Sequence, residues 1–156
     1  MTKQSEHKSG FRKRDPKEFD EEVVQIDRVT RVVKGGRKLR FRATVVNGNR
    51  RDRVGIGNGK SVEVTGDIQK AIAKAKKTLL DVKLDGTTVP HQVKVKFKAA
   101  KLLLMPASPG TGIIAGGTVR KVLELAGVND ILSKSYGTKN KLNNTKVTFK
   151  ALESLQ

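Results

Sequence analysis

The chain has 156 residues, enough for one domain or two small ones, and its 33 Lys and Arg against 15 Asp and Glu leave a formal net charge of +18. It has no cysteine and only two histidines, which excludes a disulfide scaffold, a cysteine nucleophile and metal centres built on either residue. No apolar run reaches the roughly 18–20 residues that cross a bilayer, and the basic start lacks an apolar signal segment, so the reading is a soluble intracellular protein without a membrane partner.

The charge is uneven along the chain. Residues 1–22 carry six basic and six acidic side chains and show no hydrophobic period, which predicts a flexible tail. The remainder is basic throughout, net +10 over residues 23–90 and +8 over 91–156. Such a body repels itself until a polyanion replaces its counterions, and nucleic acid is the polyanion expected.

Val23 to Val33 is rich in β-branched residues and predicts a strand, broken by Lys34-Gly35-Gly36-Arg37. Leu39, Phe41, Ala43 and Val45 then alternate with Lys38, Arg40, Arg42 and Thr44, a strand with one apolar and one basic face. Asn47-Gly48 is a turn signal. Arg53, Val54 and Ile56 open a third strand thinned by Gly55, Gly57 and Gly59. Thr65 is the predicted N-cap of a helix whose stripe is Ile68, Ala71, Ile72, Ala75 and Leu79. The first half therefore reads β-β-β-α.

Turn formers from Leu84 to Pro90 mark a boundary, giving modules over 23–89 and 90–156. Val93, Val95 and Phe97 alternate with lysines as a strand, and Lys101 to Met105 is its apolar partner. Pro106 to Gly117 (PASPGTGIIAGG) is too glycine-rich for the interior of an element. Thr118 is placed to cap a helix with Val119, Val122, Leu123 and Ala126 inward, and Gly127 ends it. Ile131 to Tyr136 is ambiguous. Lys146 to Leu155 reads as a last helix.

Two glycine motifs imitate nucleotide sites. Gly59-Lys60-Ser61 fits the end of a phosphate-binding loop, but Val54 stands where the first glycine belongs and the helical pattern starts several residues late. The other reading is a strand that another backbone approaches closely. Gly110-Thr111-Gly112-Ile113-Ile114-Ala115 matches a dinucleotide fingerprint, with Asp130 where a ribose-binding acid would sit. Its helix begins too late and no second βαβ half follows. The other reading is a demanding loop that packs on a partner or offers N–H groups to phosphate. No spaced acid/base pair accompanies either motif, so no enzyme and no cofactor are expected. One tyrosine and no tryptophan argue against aromatic stacking platforms and for phosphate contact and RNA shape.

Five segments, in order, now carry a resemblance. They are Asp27 to Arg37 (DRVTRVVKGGR), Arg53 to Gly57 (RVGIG), Ile68 to Ala71 (IQKA), Pro106 to Gly117, and Val122-Leu123-Glu124 with Ala126-Gly127-Val128. Together they resemble the bacterial family of small-subunit ribosomal protein five, over about residues 23 to 155. The resemblance implies an α+β protein of two tandem modules. The first is similar to a double-stranded-RNA-binding domain, the second of left-handed βαβ type.

It also implies a structural constituent of the small subunit, in the cytoplasmic ribosome. Such a protein binds small-subunit rRNA, helps line the path by which mRNA enters, contacts small-subunit proteins four and eight near protein three, and influences decoding accuracy. Its rRNA-reaching loop falls on Lys34, Gly35, Gly36 and Arg37, and Arg28, Arg31, Arg51, Arg53 and Lys60 are expected to join it. Val29, Thr30 and Arg31 fall near the spectinomycin site. Gly110, Gly112 and Arg120 fall on the surface facing protein four. The chain departs from the family in its longer, more basic Asn47–Asp52 turn, in Lys141, and in Asn144 and Thr145. A free-standing double-stranded-RNA-binding protein is the alternative, but it leaves the second basic module unexplained.

Overall fold

The computed structural model describes residues 18–155. Its first β-branched run forms β1, Asp20–Val33, which turns at Lys34 and Gly35 into β2, Gly36–Gly48. β3, Arg53–Asn58, pairs antiparallel with β2 and leads to helix α1, Val64–Lys77. A short β4, Leu79–Asp81, then pairs antiparallel with β3, completing the order β1-β2-β3-β4. The predicted β-β-β-α is present with this added strand, which the periodicity had merged with the helix end through Leu79. Thr78 leaves helical geometry at φ −117° and ψ 42°, and its hydroxyl donates to the Ile56 carbonyl at 2.9 Å, fastening the exit to β3. Three residues of the predicted 1–22 tail, Asp20 to Glu22, belong to β1, whereas residues 1–17 lie outside the described residues.

Asn47-Gly48 is not a turn. Both residues are buried at the end of β2, opposite Gly55 and Val54. Gly48 is needed for space, since a Cβ there would lie 2.1 Å from the Leu125 carbonyl oxygen. The reversal falls on residues 49–52, where the Asn49 side-chain oxygen accepts from the N–H groups of Arg51, Asp52 and Arg53 at 2.9–3.1 Å. That single acceptor organises the longer turn.

The glycines of β3, and Gly59 just after it, face α1. A Cβ on Gly55, Gly57 or Gly59 would lie 2.4, 1.8 or 2.2 Å from the carbonyl oxygens of Ala75, Ala71 and Asp67 respectively. Two residues of strand advance about 6.6 Å and four of helix about 6 Å, so helix and strand keep step over three contacts. The backbone that approaches is the protein's own, and Gly59-Lys60-Ser61 is no phosphate loop. α1 starts at Val64 with Glu63 as N-cap, two residues before the predicted cap Thr65, and without a side-chain capping bond.

The second sheet is built from β5, Val93–Phe97, β6, Ala100–Pro106, β7, Ile113–Ile114, and β8, Ile131–Tyr136, in the order β5-β6-β8-β7. β7 and β8 are parallel and joined through helix α2, Gly117–Ala126, which supplies the βαβ unit. α2 has Gly116 as N-cap, not Thr118, and ends as predicted on Gly127 at φ 88°. Helix α3, Lys141–Glu153, starts five residues ahead of the predicted Lys146. Asn140 caps it by accepting from the Leu142 N–H at 3.0 Å.

One apolar cluster joins the two halves, with Val24, Val46 and Val54 of the first sheet packed among Val122, Leu123, Leu125 and Leu152. A smaller cluster of Ala43, Val45 and Ala71 lies under α1. The first sheet is thus covered on both faces, by α1 and by the helices of the second half. The connection over 82–92 contributes Val82 and Val89 to the shared core, and its Thr87 carbonyl accepts from the Asn129 and Asp130 N–H groups at 3.0 Å.

Candidate nucleic-acid interface

The β1–β2 hairpin outgrows its sheet. β3 pairs with β2 only from Thr44 to Gly48, and beyond it there is a single bridge, Phe41 to Ser61. Residues 28–40 therefore project as a two-stranded ribbon about 20 Å long. Its two-residue turn works because Gly35 takes φ +91°, in the left-handed region that glycine adopts without strain. A Cβ on Gly36 would meet nothing within 4 Å.

The ribbon carries Arg28, Arg31, Lys34, Arg37, Lys38 and Arg40 and no carboxylate. The register places Arg31 directly opposite Lys38 and Val29 opposite Arg40 on one face. Like charges in directly opposed positions repel. The other face pairs Thr30 with Leu39, Val32 with Arg37 and Arg28 with Phe41. The carboxylate nearest in sequence, Asp27, is spent on Arg42, whose guanidinium donates to it at 2.6 Å. That bond holds the Asp27 carboxyl below its ordinary range, against the opposing effect of burial. Arg42 is thereby neutralised, and the six ribbon cations are left without a carboxylate partner among the described residues.

The other predicted RNA-binding residues do not all join this cluster. Lys60 is exposed at the foot of the ribbon, beside the Phe41–Ser61 bridge. Arg51 and Arg53 lie at the opposite end of β3, a strand that spans about 17 Å by its rise. Arg51 is exposed in the Asn49 turn, while Arg53 is paired with Asp81 at 2.9 Å. Lys38 and Arg40, which the sequence placed on a basic face without assigning them to the site, belong to the ribbon. The register set by a two-residue turn is the signal that finds them.

In the second half, Gly110 and Gly112 take φ +90° and +76° and aim both N–H groups at the Asp130 Oδ1, at 3.0 and 2.9 Å. The Gly112 N–H, then the Thr87 side chain, hold the Asp130 carboxyl below its ordinary range. The anion slot is filled by the chain's own carboxylate. Asp130 is thus no ribose ligand, and these N–H groups are not offered to phosphate. Arg120 is exposed on α2, with no ion-pair partner among the described residues.

Sequence comparisons agree with this architecture. The family described as "Ribosomal protein S5, N-terminal domain" matches residues 19–83, and "Ribosomal protein S5, C-terminal domain" matches residues 95–156. Proteins named "Small ribosomal subunit protein uS5" from Campylobacter jejuni, among them those of strains 81-176 and RM1221, are 52% identical over 139 residues. Those matches cover 89% of this chain and 95% of each relative. The chain belongs to the ribosomal protein S5 family.

Proposed function

We propose that the chain is a structural constituent of the small ribosomal subunit and grips small-subunit rRNA with its β1–β2 hairpin. The observation that carries this reading is the projecting ribbon itself, with six cations, no carboxylate and two cations in directly opposed positions. A phosphate backbone relieves that repulsion and releases its own counterions in doing so. Paired glycines at the tip allow the main chain to approach RNA closely.

The finer assignments belong to the same proposal. Gly110, Gly112 and Arg120 face small-subunit protein four, with protein eight also in contact and protein three nearby. The surface helps line the path by which mRNA enters and so affects decoding accuracy. Val29, Thr30 and Arg31 lie near the spectinomycin site. Residues 23–89 and 90–156 act as the two binding modules.

The test is the affinity of the full chain for small-subunit rRNA across a salt series. A log–log slope worth roughly six or more phosphates is expected. The double variant Arg31→Glu, Lys38→Glu is expected to flatten the slope by about two, with circular dichroism unchanged. A salt-independent affinity, or a double variant that binds like the parent, overturns the proposal.

A further inference from the structure

The second sheet has one covered and one open face. α3 packs on β5 and β6, burying Val93, Ala100, Leu102 and Leu104. The open face carries Lys94, Lys96, Lys101 and Lys134, all exposed, with Leu103 and Tyr136 among them. The register places Lys96 directly opposite Lys101, and Lys101 opposite Tyr136. These four lysines have no ion-pair partner among the described residues, and the face holds no carboxylate. As on the hairpin, cations are set against each other with nothing in the chain to neutralise them.

Tyr136, the only tyrosine of the chain, is half exposed, and its hydroxyl has no hydrogen-bond partner among the described residues. It lines both a hollow on the open face, beside Lys94, Lys101 and Leu103, and a cleft of about 850 Å³ between the starts of α2 and α3. Lys121, on the cleft wall, is occupied by Glu22 at 2.7 Å. Lys139 and Lys141 flank the α3 N-cap, and no acidic residue occupies the first turn of either helix. Cations at a helix start oppose the helix dipole, so their presence there costs the fold stability that a bound anion restores.

We propose that this face and cleft form a single-stranded RNA track, with one base stacked on Tyr136 and the flanking phosphates held by the sheet lysines on one side and by Lys139 and Lys141 on the other. One ring is no platform for successive bases, but a single base stacked on it, with lysines along the groove to hold the neighbouring phosphates, combines the two elements of sequence-tolerant single-strand binding. The proposal shares the RNA-binding class of the hairpin reading but uses a different surface, and the two fail separately.

The chain's lack of tryptophan makes Tyr136 its own reporter. Titrating the full chain with an oligouridylate of roughly twelve nucleotides, within the span one module covers, is expected to quench tyrosine emission. Tyr136→Ala is expected to weaken oligouridylate binding about tenfold, measured by anisotropy of a labelled strand. Tyr136→Phe keeps the ring and is expected to bind like the parent. Lys96→Glu with Lys101→Glu is expected to weaken binding, while the hairpin variant Arg31→Glu, Lys38→Glu leaves the quench in place. Absence of a quench, Tyr136→Ala binding like the parent with its thermal unfolding unchanged, or equal quenching by polyglutamate overturns the track. In none of these cases is salt-dependent rRNA binding through the hairpin affected.

Discussion

A missing side chain decides the seat of α1. The backbone of the helix lies so close to Gly57 that a single methyl would stand 1.8 Å from the Ala71 carbonyl oxygen. Neither partner has a flexible end to give way, because both are main chain. Gly57→Ala therefore has to lift the helix from the sheet and is expected to cost about 2 kcal/mol or more. Gly36→Ala, at an open position, is expected to stay within about 0.5 kcal/mol of the parent. Urea unfolding of the pair measures the difference, and equal midpoints would mean that the helix is not seated by these contacts.

Asp130 acts through charge where Gly57 acts through space. Its folded carboxyl lies below the ordinary 3.8, so the folded state prefers the ionised form more than the unfolded chain does. Its contribution is complete above that ordinary value and is lost as the pH falls through the lower folded one. Asp27 titrates in the same sense because of Arg42, and Asp67, pushed up by burial, in the opposite one. Replacing Asp130 isolates its share. Asp130→Asn is expected to lower stability at neutral pH and to shrink the further loss on acidification below about pH 4. Parallel stability–pH curves for parent and variant would show that the Gly110–Gly112 loop does not depend on the charge.

At the scale of elements, what the sequence shows is what repeats. The alternation from Lys38 to Val45 and the stripe from Ile68 to Ala75 each mark one element, and both elements form where that pattern predicts, although Leu39 stays exposed on the ribbon and Thr44 is buried on the face predicted to be open. The start of α3 was hidden because its buried face is partly polar. Thr145 and Thr148 satisfy their hydroxyls on the carbonyls of Lys141 and Asn144, each at 2.8 Å, so they sit inside without an apolar signal. Asn47-Gly48 misled for the reverse reason. Its residues suit a turn, but tertiary contact with Leu125 holds them in a strand. The candidate interface was half legible. The cations could be read from the chain, but the opposition of Arg31 and Lys38 depends on a turn of two residues, and the capture of Arg53 by Asp81 depends on β4. The Asp130 bracket is visible in the sequence only as a spacing from Gly110 that also suits a ribose-binding acid, and nothing in the spacing says that the carboxylate turns back into its own loop.

At the scale of the whole molecule, the division between Val89 and Pro90 separates sequence patterns more than it separates cores. Val46, Val54 and the half-buried Ile56 turn their side of the first sheet toward α2 and α3, so the first half alone would present that face to water. The contact is also backbone to backbone. The Arg50 N–H donates to the Leu125 carbonyl at 3.0 Å, and Gly127 fits against Arg50 and Arg51 where a Cβ would lie 2.7–2.8 Å from their carbonyl atoms. A joint without adjustable side chains does not hinge freely, and it holds the hairpin at a fixed disposition to the second sheet. The intact chain is therefore expected to unfold in one cooperative transition, with calorimetric and van't Hoff enthalpies equal. Leu123→Ala, fully buried in the second half, is expected to cost about 2–5 kcal/mol and to reduce amide-exchange protection in β2 and β6 together. Two calorimetric transitions, or protection lost from β6 while β2 keeps its own, would mean that the halves are independent bodies and that each RNA surface is positioned by its own module alone.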